Sequence, residues 1–169
     1  WTPIDGSKAY EFTYYFKKTD FTMQSVYFGV TTSNNYVENA STGMDETNPY
    51  FTYLNPAQQQ SLLNPDHWYK VVGYILPQGS ADVVPGSLGG VYDMTTGQKI
   101  ANTTTFRWDS ARSSDKIFSR FFDYYSEPAL GLTTYCYKPE IREVSDNNLV
   151  DLVRRQNIRH NSRRRLAEC

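Results

Sequence analysis

Two cysteines, Cys136 and Cys169, are too few for a disulfide scaffold or a thiolate metal cage. They either pair, stapling the end of the chain back onto its body, or stand as two free thiols. Histidine is equally scarce, and His67 and His160 lie far apart. The sequence holds no H-E-x-x-H, no G-x-S-x-G, no Walker loop and no dinucleotide fingerprint, so the familiar metalloprotease, hydrolase and nucleotide-dependent chemistries lose their markers. No apolar run reaches the roughly 18 residues of a membrane-spanning helix. No signal segment is visible either. The chain opens on Trp1 and not Met, which reads as a processed product or an excerpt, so a missing leader says little about compartment.

Aliphatic helix formers are also thin, whereas 14 Tyr, 9 Phe and 3 Trp bring the aromatic share to 15%. Aromatic and β-branched residues suit a pleated, half-buried surface, so composition points to strands. A length of 169 residues fits one domain with a core. The expected division is a body over residues 1–146 and a basic helix or tail over 147–169.

Alternation sets out the strands. In Lys8 to Lys17, Tyr10, Phe12, Tyr14 and Phe16 share one face. Met23 to Thr31 places Val26, Phe28 and Val30 together. Trp68 to Leu76 is too apolar and too short for anything but a buried sandwich strand. Gly90 to Met94 and Lys99 to Ala101 flank Thr95-Thr96-Gly97-Gln98 as a hairpin, with Gly97 supplying a positive φ. Thr105–Trp108, Ile117–Tyr125, Thr133–Lys138 and Glu140–Val144 complete eight to ten short strands. The expected fold is all-β, a jelly-roll-like antiparallel sandwich. Residues 32–48, 54–66 and 77–89 read as loops, with one helical turn near Gln58 to Leu63. Residues 147–166 form the main helical candidate, with Leu149, Leu152 and Val153 on one face.

Charge is uneven. Arg154, Arg155, Arg159, Arg163, Arg164 and Arg165 oppose only Asp151 and Glu168, so the last nineteen residues carry about +4 and the body about −5. The tail could meet a sulfated or carboxylated polymer, serve as a processing site at Arg163 to Arg165, dock on a neighbouring copy, or remain solvated. Nucleic acid is not the expected partner. The triplets Asn39-Ala40-Ser41 and Asn102-Thr103-Thr104 are glycosylation acceptors in form and favour an extracellular setting.

Binding is the preferred chemistry. Sugars present apolar C–H faces on which Trp and Tyr rings stack while polar neighbours take the hydroxyls. Trp108, between Arg107 and Asp109, is the ring placed most readily at a surface, with Tyr92 and Tyr124 as companions. Asp45, Glu46, Asp82 or Asp93 could ligate calcium, without a D-x-D-x-D-G loop behind them. No cofactor is expected otherwise. A polysaccharide lyase would draw on His67, Tyr69, Arg107 and Arg120, although nothing in their spacing demands one groove.

Asn48-Pro49-Tyr50-Phe51, the strand Trp68 to Tyr74, the hairpin Gly89 to Gly97, Phe106 to Trp108, Arg120 to Tyr125 and Pro139 to Val144 follow one another in an order that resembles a β-sandwich module of phage tail fibres and large marine bacterial adhesins. The resemblance covers about residues 25–150. It implies an adhesive or structural appendage that binds glycans or packs on neighbours, and it transfers no catalytic residue. The basic tail and the two cysteines depart from that pattern. The expected function is a non-catalytic extracellular glycan-binding or adhesion domain, its partner a cell-surface or matrix polysaccharide. The alternatives are a subunit of an extracellular filament or particle, assembling through tail and sheet edges with other copies of itself, and a polysaccharide-degrading enzyme.

Overall fold

The computed structural model describes residues 2–22, 24–32, 37–80, 88–109, 116–124, 133–145 and 151; the side chains of residues 32, 116 and 124 lie outside that description. The strands are β1 (Thr2–Pro3), β2 (Ala9–Lys18), β3 (Ser25–Thr32), β4 (Val37–Asn39), β5 (Tyr50–Leu54), β6 (Tyr69–Leu76), β7 (Gly90–Asp93), β8 (Lys99–Ala101), β9 (Thr105–Trp108), β10 (Lys116–Tyr124) and β11 (Thr134–Val144). A short helix, α1 (Pro56–Leu62), sits between β5 and β6. The chain is an all-β sandwich of two sheets.

The alternating apolar residues decide which face each strand buries. In β2, Phe12 and Phe16 are fully buried and Tyr10 and Tyr14 nearly so; in β3, Val26, Phe28 and Val30 lie on the core side. The four-stranded sheet runs β1-β10-β3-β5. The seven-stranded sheet runs β11-β2-β6, and beyond β6 it divides. Antiparallel β7 pairs with Tyr69 to Val72, and β9 pairs with Tyr74 to Leu76. The β9 pairing is parallel, against the expectation of a wholly antiparallel sandwich. It arises because β9 is reached by a crossover after the β7–β8 hairpin, so it meets β6 in the same direction.

Gly73 lies at this division and faces the other sheet. A Cβ there would come 2.2 Å from Phe51 Cγ, so the glycine is the seat of the Phe51 ring. Around that seat, Phe51 meets Phe12 at 5.2 Å, Phe106 at 5.4 Å and Phe28 at 5.6 Å between ring centroids. Aromatics from both sheets therefore converge on one ring, and apolar burial supplies the main driving force. At one end an ion pair also ties the sheets. Lys18 of β2, 1% exposed, reaches Asp123 of β10 at 3.0 Å, and the Thr134 hydroxyl donates to the same carboxylate.

The helix forms where the sequence supplies a cap. Asn55 Oδ1 accepts from the Gln58 amide at 2.9 Å, Gln58 Oε1 accepts from the Asn55 amide at 3.0 Å, and Pro56 occupies the first turn. The hairpin closes as expected, with Gly97 at φ 71°. β4 lies where a loop was expected, and β5 lies between two expected loops, where no strand was assigned. Near the other end of the chain, Thr133–Lys138 and Glu140–Val144 are a single strand, β11, carrying a bulge between Tyr137 and Glu140 with Lys138 at φ 51°. The expected helix over 147–166 lies outside the described residues apart from Asp151, which is helical. No helix among the described residues is long and apolar enough to cross a membrane.

Gly73→Ala is expected to cost about 1–3 kcal/mol or more in urea unfolding, because the methyl collides with Phe51. Combining it with Phe51→Leu should cost less than the sum of the two single changes, since the smaller side chain vacates the seat. Simple additivity would show that the glycine serves something other than the ring.

Candidate functional site

Alternation leaves the outer face of the seven-stranded sheet with two distinct halves. At the β6 C-terminal half, Val72, Tyr74, Leu76, Ala9 and Val144 are covered together with Ala40 and Leu88 as a second, smaller buried cluster. At the other half the same face is open. Register places Tyr137, Tyr15, Lys70 and Tyr92 in one row across β11, β2, β6 and β7, with Tyr135 opposite Lys17 in the next row and Trp68 just before β6. Tyr137 is 60% exposed, Tyr135 48% and Trp68 37%.

The ring contacts on this face are edge-on or tilted. Trp68 meets Tyr137 edge-on at 6.4 Å, and Tyr15 meets Tyr137 at 6.1 Å and 60°. Lys17 lies 5.9 Å above Tyr135 and Lys70 5.9 Å above Tyr15. Lys17 is also held by Asp66 at 3.2 Å. Such a surface can stack a pyranose ring and offer ammonium donors to hydroxyl, carboxylate or sulfate oxygens.

The turn that carries Trp68 is fixed from below by Asp93, 3% exposed. Its carboxylate lies 3.0 Å from His67 Nδ1 and accepts from the Thr95 and Thr96 amides at 2.8 and 3.3 Å, while the Met94 amide donates to the Trp68 carbonyl at 2.9 Å. Burial alone would raise the Asp93 carboxyl, but the hydrogen bonds outweigh it and hold the group below its ordinary 3.8.

The residues expected to form a site near Trp108 are placed differently. Trp108 is 2% exposed, its indole Nε1 donates to the Lys8 carbonyl at 3.0 Å, and its ring packs edge-on against Tyr10 at 5.9 Å. It is a core residue, because β9 turns Phe106 and Trp108 inward and Arg107 outward. Arg107 is engaged by Glu38 at 2.7 Å and by the Ser80 carbonyl at 3.1 Å, and Asp109 is buried. Tyr92 does lie on the ring-bearing face, half-buried against the smaller cluster. Tyr124 ends β10, with its side chain outside the described residues.

Of the acids considered for calcium, Asp45 joins Glu38 and Asp109, with carboxylate oxygens within 4.8 Å of one another. Among the described residues these three could converge on a cation, although Arg107 already neutralises Glu38. Asp93 serves His67, and Asp82 lies outside the described residues. The groove imagined for a lyase does not form: Tyr69 is fully buried and bonded to Asn64, whereas Arg120 lies on the four-stranded sheet over Tyr50. Asn39 is half-buried and Asn102 exposed. Cys136 is exposed on β11, and Cys169 lies outside the described residues.

A second aromatic surface covers the four-stranded sheet, where Tyr53, Phe122 and Phe118 are also exposed, at 47%, 38% and 37%. Tyr27 stacks on Tyr53 at 4.7 Å, and Arg120 covers Tyr50 at 4.5 Å. No protein-family model matches the chain, and neither does any curated protein or solved structure.

Asp93→Asn is expected to lower stability at pH 7 by about 1–3 kcal/mol, since a charged acceptor is lost from a buried site. A depressed native carboxyl contributes fully above pH 3.8 and loses that contribution as pH falls through its lower folded value. The gap in Tm between wild type and variant should therefore narrow below pH 3.8. A gap that stays constant down to pH 2 would contradict this.

Proposed function

We propose that the protein is a non-catalytic, extracellular glycan-binding or adhesion domain, and that it holds its ligand on the open half of the seven-stranded sheet. One observation carries the reading: Trp68, Tyr135 and Tyr137 stand exposed on a single sheet face beside Lys17 and Lys70. A monomer seldom leaves several large rings in water without a use for them. The lysines favour an acidic cell-surface or matrix polysaccharide, in which ring faces stack and carboxylate or sulfate groups meet the ammoniums. The glycosylation triplets at Asn39 and Asn102 and the resemblance to adhesin modules support the extracellular setting.

The edges of the larger sheet favour binding over strand-to-strand assembly. β11 is its long edge strand, and it carries the bulge, Pro139, and the charged Lys138, Glu140, Arg142 and Glu143. Pro offers no amide, and charged, bulged edges resist the addition of another strand.

An array of neutral, uronate-bearing and sulfated glycans, followed by calorimetry on the hits, tests the reading. Trp68→Ala and Tyr137→Ala should each weaken binding by about 1–3 kcal/mol while leaving the fold intact. Lys70→Met should weaken acidic glycans more than neutral ones. Trp108→Ala should instead cost about 3–5 kcal/mol of stability, as a core truncation does. An array without hits, or affinities indifferent to Trp68 and Tyr137, would refute the assignment.

A further inference from the structure

Lysine is almost never fully buried unless it is paired, and Lys18, at the end of β2, is 1% exposed. Its Nζ lies 3.0 Å from Asp123 Oδ1. It also lies 3.4 Å from the Gln24 carbonyl, which already accepts from Gln59 Nε2 at 2.7 Å. The Asp123 side chain is 15% exposed, and its other oxygen, Oδ2, accepts from the Thr134 hydroxyl. One partner comes from each sheet, and the two are 105 positions apart in sequence.

Two charges so placed lose most of their hydration, and their mutual attraction recovers that loss only in part. Condensation removes both charges at once and needs no outside reagent. A proton passes from the Nζ ammonium to the Asp123 carboxylate, and the freed amine lone pair attacks Cγ, one bond beyond Oδ1. The nitrogen gives up a second proton as the Cγ–Oδ2 bond breaks, and Oδ2 leaves as water with both protons. Of the three ammonium hydrogens one stays on the amide and two leave in the water. The opposite charges cancel, and nothing is oxidised or reduced. The Thr134 hydroxyl holds Oδ2, so Oδ1 becomes the amide carbonyl.

An ammonium and a carboxylate free in water do not condense on their own. A fold that fixes the two in contact supplies an effective concentration of about 10⁵–10⁸ M. The partial exposure of Asp123 gives the departing water a way out. We propose that Lys18 and Asp123 are joined by an intramolecular amide between Nζ and Cγ, a covalent tie between the two sheets. Cys136, the cysteine among the described residues, is free, so this tie locks the sheets without thiol chemistry. It is also separate from the ring-bearing face, to which Lys17 and not Lys18 is turned.

The deciding measurement is the intact mass of the full chain, made without glycosylation, unfolded and with its thiols reduced. It should fall below the sum of the residues by the mass of one water. Trypsin should leave the bond after Lys18 uncut and release one branched peptide that carries Lys18 and Asp123 together. Lys18→Arg and Asp123→Ala should each return the mass to the full sum of the variant's residues. A wild-type mass equal to the sum of the residues overturns the proposal, and that result depends on no variant folding. A lost water that peptide mapping places at another pair, or that persists in Asp123→Ala, overturns it as well.

Discussion

The contact of the Phe51 ring with the backbone of Gly73 sets the spacing of the two sheets, and the remaining core is arranged around it. A sandwich core is filled by side chains interdigitating from both inner faces. Here one ring from the smaller sheet occupies the place that a side chain of β6 would otherwise take. Phe12, Phe28 and Phe106 then close on it from three strands. Because Gly73 also marks where β6 passes from β7 to β9 on one edge, the same residue joins packing between sheets to topology within one.

That arrangement explains the contrast on the outer face. The β9 side of β6 is crowded, since the turns after β4 and before β7 fold over Val72, Tyr74 and Leu76. On the β7 side the described residues add only a short hairpin, and Trp68, Tyr135 and Tyr137 are exposed. The larger sheet thus presents a covered half and an open half with rings and ammoniums. Asp93 links the hairpin to the turn that holds Trp68, so the stability of a loop becomes the orientation of an exposed indole.

Much of the fold was legible in the sequence, because a period of two is a direct imprint of a sheet with one buried face. Tyr10 to Phe16 and Val26 to Val30 are buried as their alternation requires. β4 was not legible: three residues, Val37–Asn39, in a polar stretch carry no period. β5 was hidden because Asn48-Pro49 makes Asn48 to Phe51 read as a turn, whereas Tyr50 and Phe51 already belong to the strand. Trp108 misled for a related reason. Charged neighbours suggested a surface, yet successive strand residues point to opposite faces, and Arg107 says nothing of where its neighbour lies. The ring-bearing face could not be read at all as a group, because Tyr15, Trp68, Tyr135 and Tyr137 come from three separate segments. Only the register of β11 on β2 and β2 on β6 brings them together.

The pairing of β11 with β2 has a consequence for the order in which the molecule can be made. Val144 lies opposite Ala9 and Thr134 opposite Lys18, and β1 is likewise matched to β10. β2 therefore waits for a partner strand made more than a hundred residues later. While the ribosome is still adding the middle of the chain, β2 has one bare flank and the apolar side of the larger sheet is incomplete. Closure needs contacts between residues more than a hundred positions apart, which slows folding. An emerging chain of this kind holds sticky, half-formed surfaces until β11 arrives, and until then chaperones have most to shield.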